Sequence, residues 1–405
     1  MSASPRSALL TASLCLSVLS LAAHAQNRGP AAQYWVDLDT SNASIPGMSQ
    51  GGLMSGLMGG AGPGKRLEAE LYVRAHPSGV EGTHAIPAAM NMGPSLPLVP
   101  LRPQAGTRTQ SGGDHTDTAE KPKGRILLYW GCGDSIRPGQ PKVLDFAKQD
   151  YREYAGFFSS HGGVSKGVQH RPGHSLWPNE RDNKRVPENA SLQGEHAVSG
   201  DGVPSSLKFR VDAAHDFLPP LRISTKGQPA TGVQVAWNGM EHARGYFLTA
   251  QGVAEANGAQ DMILWSSSEK PENGWALMTY QTPAQVTKLV QQKVALPPST
   301  TNCTVPKGIF DKAEGAMLNM IAYGSELNLA HPPRPAKAPA DWQPEWTARV
   351  RIKSTGMTML GMESDGEGAR ADVQPGAGNS AGDAARDVAA EIVNPVNLLR
   401  GLFGR

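Results

Sequence analysis

Leu207-Lys-Phe-Arg-Val211 and Val233-Gln-Val-Ala-Trp237 alternate polar and apolar residues at a period of two, which sets one face of a strand on a core. Tyr246 to Thr249 and Met262 to Ser266 continue the series, with turn residues in the gaps. The reading predicts a mainly β protein of one or two β-sandwich-like domains, with a few short helices, long loops and a C-terminal helix after a low-complexity tail.

The same period recurs upstream. Gln33 to Asp39 and Arg66 to Val73 read as paired strands, joined by a glycine- and methionine-rich loop that holds Met48, Met54 and Met58. Residues 104–124 lose nearly all large apolar side chains and cannot offset their ordering entropy. Arg125-Ile-Leu-Leu-Tyr-Trp130 is a continuous apolar run expected to be a buried central strand, turned outward by Gly131-Cys132-Gly133. Lys142 onward reads as a strand followed by one helical turn. Helices are expected from Pro283, with Val286, Leu289 and Val290 on one face, and from Asp311 to near Gly324. Trp346 to Lys353 supplies a last strand.

The expected segments are 1–25, a signal peptide; 26–103, an N-terminal β region; and 104–124, a linker or disordered loop. Residues 125–206, an apolar strand and a long polar loop, complete the N-terminal domain. Residues 207–360 form a sandwich-like domain with two short helices, 361–382 a low-complexity tail, and 383–405 a C-terminal amphipathic helical segment.

The first 25 residues carry an early arginine, an apolar stretch from Leu9 to Ala22, and Ala23-His24-Ala25 before Gln26. This is the pattern of an export signal cleaved at about Ala25/Gln26, giving a periplasmic or extracellular protein. The stretch is shorter than the roughly 20 apolar residues that span a bilayer, and no later segment of the mature chain reaches that length. Lys and Arg number 38 against 36 Asp and Glu, too even a balance for the basic face that nucleic acid requires. Cys132 and Cys303 follow the signal, and in an oxidising compartment they either pair or stay buried.

Val233-Gln-Val-Ala-Trp-Asn, followed by Ala243-Arg-Gly-Tyr246-Phe-Leu-Thr-Ala, resembles the second and third strands of a fibronectin type III module. The resemblance covers about 218–305 and implies an immunoglobulin-like sandwich in which Trp237 and Tyr246 pack against each other. The helical pattern near Val286 and the missing tyrosine motif of the sixth strand depart from that family. The fold hosts many functions, so the resemblance implies none of them.

Candidate chemistry is sparse. His161, His170, His174 and His196 populate the long polar loop from 159 to 205, where converging imidazoles would hold zinc or copper. The metal reading rests on His161, His170 and His174, although Arg171-Pro172-Gly173 keeps the last two off a common helical face. Trp177 offers a flat ring to a sugar or anchors its own loop. Gly59 to Lys65 imitates a phosphate-cradling loop, but Arg66 stands where a Ser or Thr would hold magnesium. No Gly-x-Ser-x-Gly is present, and Cys132 lacks a local histidine to activate it.

The sequence therefore points to an exported, non-enzymatic binding or cell-envelope component of unknown ligand and cofactor. Met54 and Met58, together with Leu398, Leu399, Leu402 and Phe403, are the candidate contacts with an envelope protein or membrane surface. The alternatives are a metal-binding protein or hydrolase built on the loop 159–205, and a carbohydrate-binding module.

Overall fold

The computed structural model describes residues 29–44, 63–101, 124–148, 156–163, 165–256 and 259–362. The expected signal peptide, Met54, Met58 and the segments from 363 onward lie outside the described residues. The strands begin with β1 (Ala32–Ser44), β2 (Gly64–Val73), β3 (Gly82–Ala85), β4 (Ser95–Pro100), β5 (Arg125–Trp130) and β6 (Lys142–Asp145). They continue with β7 (Ser175–Trp177), β8 (Gly194–Gly200), β9 (Lys208–Val211), β10 (Ile223–Gln228), β11 (Gly232–Trp237) and β12 (Gly245–Ala256). Then follow β13 (Ala259–Ser266), helix α1 (Pro283–Gln291), β14 (Asn302–Val305), β15 (Ala316–His331) and β16 (Trp346–Leu360).

The protein is mainly β. Its large sheet has 13 strands in the order β6-β5-β13-β12-β15-β16-β1-β2-β7-β4-β3-β8-β9, and β10-β11-β14 form a small second sheet. Antiparallel ladders dominate, but β1 runs parallel to β16 and β5 parallel to β13. These two pairings correct the expected division at residue 206, because strands from 26–206 and from 207–360 interleave in one sheet. Local patterning shows which residues face a core but carries no signal for partners hundreds of residues apart.

One face of the large sheet carries Tyr34, Val36, Leu38, Ala69, Leu71, Leu248, Leu318, Met320 and Val350 into the main core. Val233, Val235 and Trp237 of the small sheet join that core, and Trp237 meets Tyr246 edge-on at a 5.6 Å ring separation. On the opposite face α1 lays Val286 and Leu289 against Phe247, Ile321 and Tyr323. The helix starts where expected, with Pro283 in its first turn and the Thr282 hydroxyl accepting from the Gln285 N–H at 3.2 Å.

The helix expected from Asp311 to near Gly324 is instead a turn at 311–315 followed by β15. Met317, Ile321 and Tyr323 face one layer, and Leu318, Met320 and Ala322 the other, so the run is apolar throughout and its period is hidden. Arg125 to Trp130 is a strand, but it lies beside the edge strand β6 rather than in the centre. Ile126 and Leu128 are covered by Phe146 and Phe157, while Leu127 and Tyr129 pack on the main core, so a strand near the edge is also apolar on both faces.

Cys132, just beyond β5, is bonded to Cys303 on β14 with Cα atoms 5.3 Å apart, tying the large sheet to the small one. The approach is fixed by Gly133 N–H to the Thr304 carbonyl at 2.9 Å and by the Trp265 indole N–H to the Gly131 carbonyl at 3.0 Å. Gly131 takes φ +94°, and a Cβ there would lie 2.8 Å from the Arg137 guanidinium carbon, so the turn requires glycine. The bond closes a long loop, so Cys132→Ser with Cys303→Ser is expected to lower unfolding free energy by about 2–4 kcal/mol. Denaturant unfolding of the double variant against wild type measures this, and an unchanged midpoint would show that the bond contributes nothing.

Candidate functional site

Three adjacent strands repeat one pattern: Val36-Asp-Leu-Asp39 on β1, Leu67-Glu-Ala-Glu-Leu71 on β2 and Ala348-Arg-Val-Arg-Ile-Lys353 on β16. Their apolar members enter the main core, so their charged members share the opposite face. Register sets Asp37 between Glu68 and Arg351, and Asp39 between Arg66 and Lys353. Acids of β1 thereby meet bases of β16 across the parallel pair.

The innermost pair is Asp37 with Arg351, whose side chains are 6% and 8% exposed. Arg351 donates from Nε to Asp37 Oδ1 at 2.6 Å and from Nη2 to Oδ2, a two-pronged contact that suits both planar groups. Asp39 accepts from Arg66 at 2.6 Å and from the Thr355 hydroxyl at 3.2 Å. The Tyr280 ring lies 4.2 Å from the Arg351 guanidinium and 4.8 Å from the Lys353 ammonium. Burial, and then the nearby Asp37 and Asp39 charges, push the Tyr280 hydroxyl well above its ordinary pKa.

The loop at 165–169 is fastened to this face through its backbone. The carbonyls of Ser165 and Lys166 accept from Arg351 and Arg349, each at 2.7 Å. The N–H groups of Val168 and Gln169 donate to Asp37, at 3.2 Å, and to Glu70. Gly167 sits at the centre, where a Cβ would lie 1.7 Å from Arg351 Nη2. Burial raises the Glu70 carboxyl above its ordinary value, opposed by the Gln169 N–H and by His174, whose Nδ1 is 2.8 Å from Oε1.

The candidate metal ligands are dispersed among separate carboxylates. His161 Nδ1 and its backbone N–H both reach the buried Glu272, each at 2.9 Å. His170 is exposed, 4.0 Å from Glu68, and His174 is held by Glu70. Among the described residues no group of three His, Cys, Asp or Glu is placed to hold a metal ion. The expected convergence of His161, His170 and His174 is thus corrected: His161 goes to Glu272 in the loop after β13, while His170 and His174 lie by Glu68 and Glu70 of β2.

Trp177 also departs from expectation. It ends β7 between β2 and β4 and is 2% exposed within the main core, so it presents no face to a sugar. Cys132 and Cys303 are paired. His196, the fourth imidazole of the long loop, belongs to strand β8 and to a separate buried group.

The sheet-face residues themselves were not singled out from the sequence. The signal was present as alternating acids on β1 and β2 and alternating bases on β16, but their juxtaposition depends on the parallel register. Chemically, the face is a charge-paired seam in which Asp37, Asp39 and Glu70 already accept hydrogen bonds from cations or backbone. It positions a loop and leaves none of these acids free as a general base. No helix of the described residues is long and apolar enough to cross a membrane. Comparison with protein-family models, curated proteins and solved structures gave no match.

Arg351→Ala leaves Asp37 buried without its cation and is expected to cost about 3–5 kcal/mol. In a double-mutant cycle, adding Asp37→Ala is expected to recover part of that loss, because the stranded charge is removed. Gly167→Ala is expected to expose the 165–169 backbone to limited proteolysis. Strict additivity in the cycle would contradict the coupling.

Proposed function

We propose that this chain is an exported, non-enzymatic binding component of a cell envelope, in which the disulfide-tied sheets are a scaffold for contacts made by two peripheral segments. The observation that carries the reading is the parallel register of β1 and β16, in which Ser44 pairs with Thr358 while Gly64 pairs with Ser41. β1 and β16 therefore end, at Ser44 and Leu360, on adjacent strands at one end of the sheet, and in sequence β1 precedes Met54 and Met58 while β16 precedes Leu398, Leu399, Leu402 and Phe403.

Unbranched methionine side chains and a Leu-Leu-x-x-Leu-Phe run suit an adaptable apolar contact with an envelope protein or membrane surface. Two further features support export. The N-terminal sequence has the charge, apolar length and small-residue site of a cleaved signal. The Cys132–Cys303 bond belongs to an oxidising compartment. The charged seam supports the non-enzymatic part of the reading, since its acids hold a loop of the protein itself.

Cell fractionation tests this reading, together with intact-mass measurement of the mature N-terminus. The full chain is expected in an envelope or extracellular fraction, beginning at about Gln26. Removal of residues 394–405 is expected to abolish envelope association while leaving the melting midpoint unchanged, and Met54→Ser with Met58→Ser is expected to weaken it. Cytoplasmic retention of an uncleaved chain, or unchanged fractionation of the truncated one, would overturn the proposal.

A further inference from the structure

Away from the charged seam, Tyr34 of β1, His84 of β3 and His196 of β8 form a line through the main core, at 0%, 0% and 2% exposure. The Tyr34 hydroxyl is 2.6 Å from His84 Nδ1, His84 Nε2 is 2.9 Å from His196 Nδ1, and His196 Nε2 is 2.8 Å from the Leu192 carbonyl. The carbonyl only accepts, so His196 Nε2 carries the hydrogen and, in the neutral ring, Nδ1 accepts. His84 must then donate from Nε2 and accept at Nδ1 from the tyrosine hydroxyl. A single set of neutral tautomers satisfies every atom of the line.

One added proton breaks that set. On His196 it would set two N–H groups facing each other across 2.9 Å, and on His84 it would take the phenol hydrogen's acceptor away. An unmet buried donor is costly where water cannot reach it. The line also spans a joint in the fold, because β3, β8 and β9 are the outermost strands on their side of the sheet while β1 lies near its middle. Phe209 of β9 stacks on the His196 ring at 5.0 Å, and Tyr34 and His84 meet edge-on at 5.0 Å, so all four side chains form one packed unit.

Among the described residues, no carboxylate around the unit is hydrogen bonded to either imidazole. Glu195 of β8 is turned to Arg210 of β9 at 2.7 Å on the exposed side. Asp216 accepts from the Leu192 N–H at 2.7 Å and from the Ser191 hydroxyl. Neither carboxylate is hydrogen bonded to an imidazole. From β1 the facing titratable group is Tyr34, from β3 His84 and from β8 His196, while β9 presents Phe209.

We propose that the Tyr34–His84–His196 line is an acid-operated latch: a proton entering either imidazole releases β3, β8 and β9 from β1 while the centre of the sheet stays paired. In the folded protein, burial holds both imidazoles below their ordinary value of 6.5, His84 well below it and further lowered by His196. For His196 the Leu192 carbonyl and Glu195 oppose burial without overcoming it. In the opened state the rings return toward 6.5 and bind protons that the closed state refuses. Closure is therefore fully stable above about pH 6.5 and weakens as pH falls below it, by up to about tenfold per pH unit for each proton taken up.

Hydrogen exchange on the intact, disulfide-bonded protein tests the latch, after correction for the intrinsic pH dependence of exchange. Between pH 7.5 and pH 5, the opening constant of amides in 82–85 and 194–211 is expected to rise at least tenfold, while amides in β15 and β16 keep their protection. His84→Gln and His196→Gln are expected to remove most of that pH dependence. If a variant does not fold, the wild-type contrast alone decides. Parallel change in both regions, or no change in either, would overturn the proposal.

Discussion

The two-pronged contact between Asp37 and Arg351 fixes the parallel register of β1 against β16, and the rest of the large sheet is arranged around that pair. A slip of one residue would exchange the faces of the strand, burying Asp37 and Asp39 in the main core and exposing Val36 and Leu38 to the loop side. The hydrophobic and ionic demands therefore specify the same alignment. Apolar burial of Tyr34, Val36, Leu38, Val350 and Ile352 supplies the driving force, and the charge seam on the opposite face adds specificity.

This alignment has consequences on both sides of the sheet. On the charged side it builds a receptor for the backbone of residues 165–169, so a segment without regular structure is held through its own N–H and carbonyl groups. On the apolar side it sets Tyr34 facing His84 and brings the large sheet under the small one, where the Cys132–Cys303 bond joins them. The loop clamp uses charged side chains that alternate with core residues, whereas the histidine line and Cys303 lie on the buried side.

Much of the strand content was legible because it rests on local alternation, as in Arg66 to Val73, Leu207 to Val211 and Val233 to Trp237. The reading failed where both faces are buried, as at Met317 to Tyr323, since a continuous apolar run has no visible period. It failed again at the parallel pairings, which join strands far apart in sequence, β1 with β16 and β5 with β13. The candidate site was less legible than the fold. His161, His170 and His174 lie close in sequence but go to Glu272, Glu68 and Glu70, while His84 and His196 lie 112 residues apart and share a hydrogen bond. Spacing along a loop does not determine convergence, whereas position on paired strands does.

The functional account depends on the same geometry, because the parallel pair brings the C-terminal ends of β1 and β16, Ser44 and Leu360, to one end of the sheet. The most direct measurement is a cross-link between cysteines introduced by Ser44→Cys and Thr358→Cys, residues paired in the register. Peptide mapping after mild oxidation distinguishes this bond from Cys132–Cys303. The account requires a 44–358 bond in the folded, monomeric protein. Failure of the two cysteines to pair, or their pairing only between molecules, would contradict it.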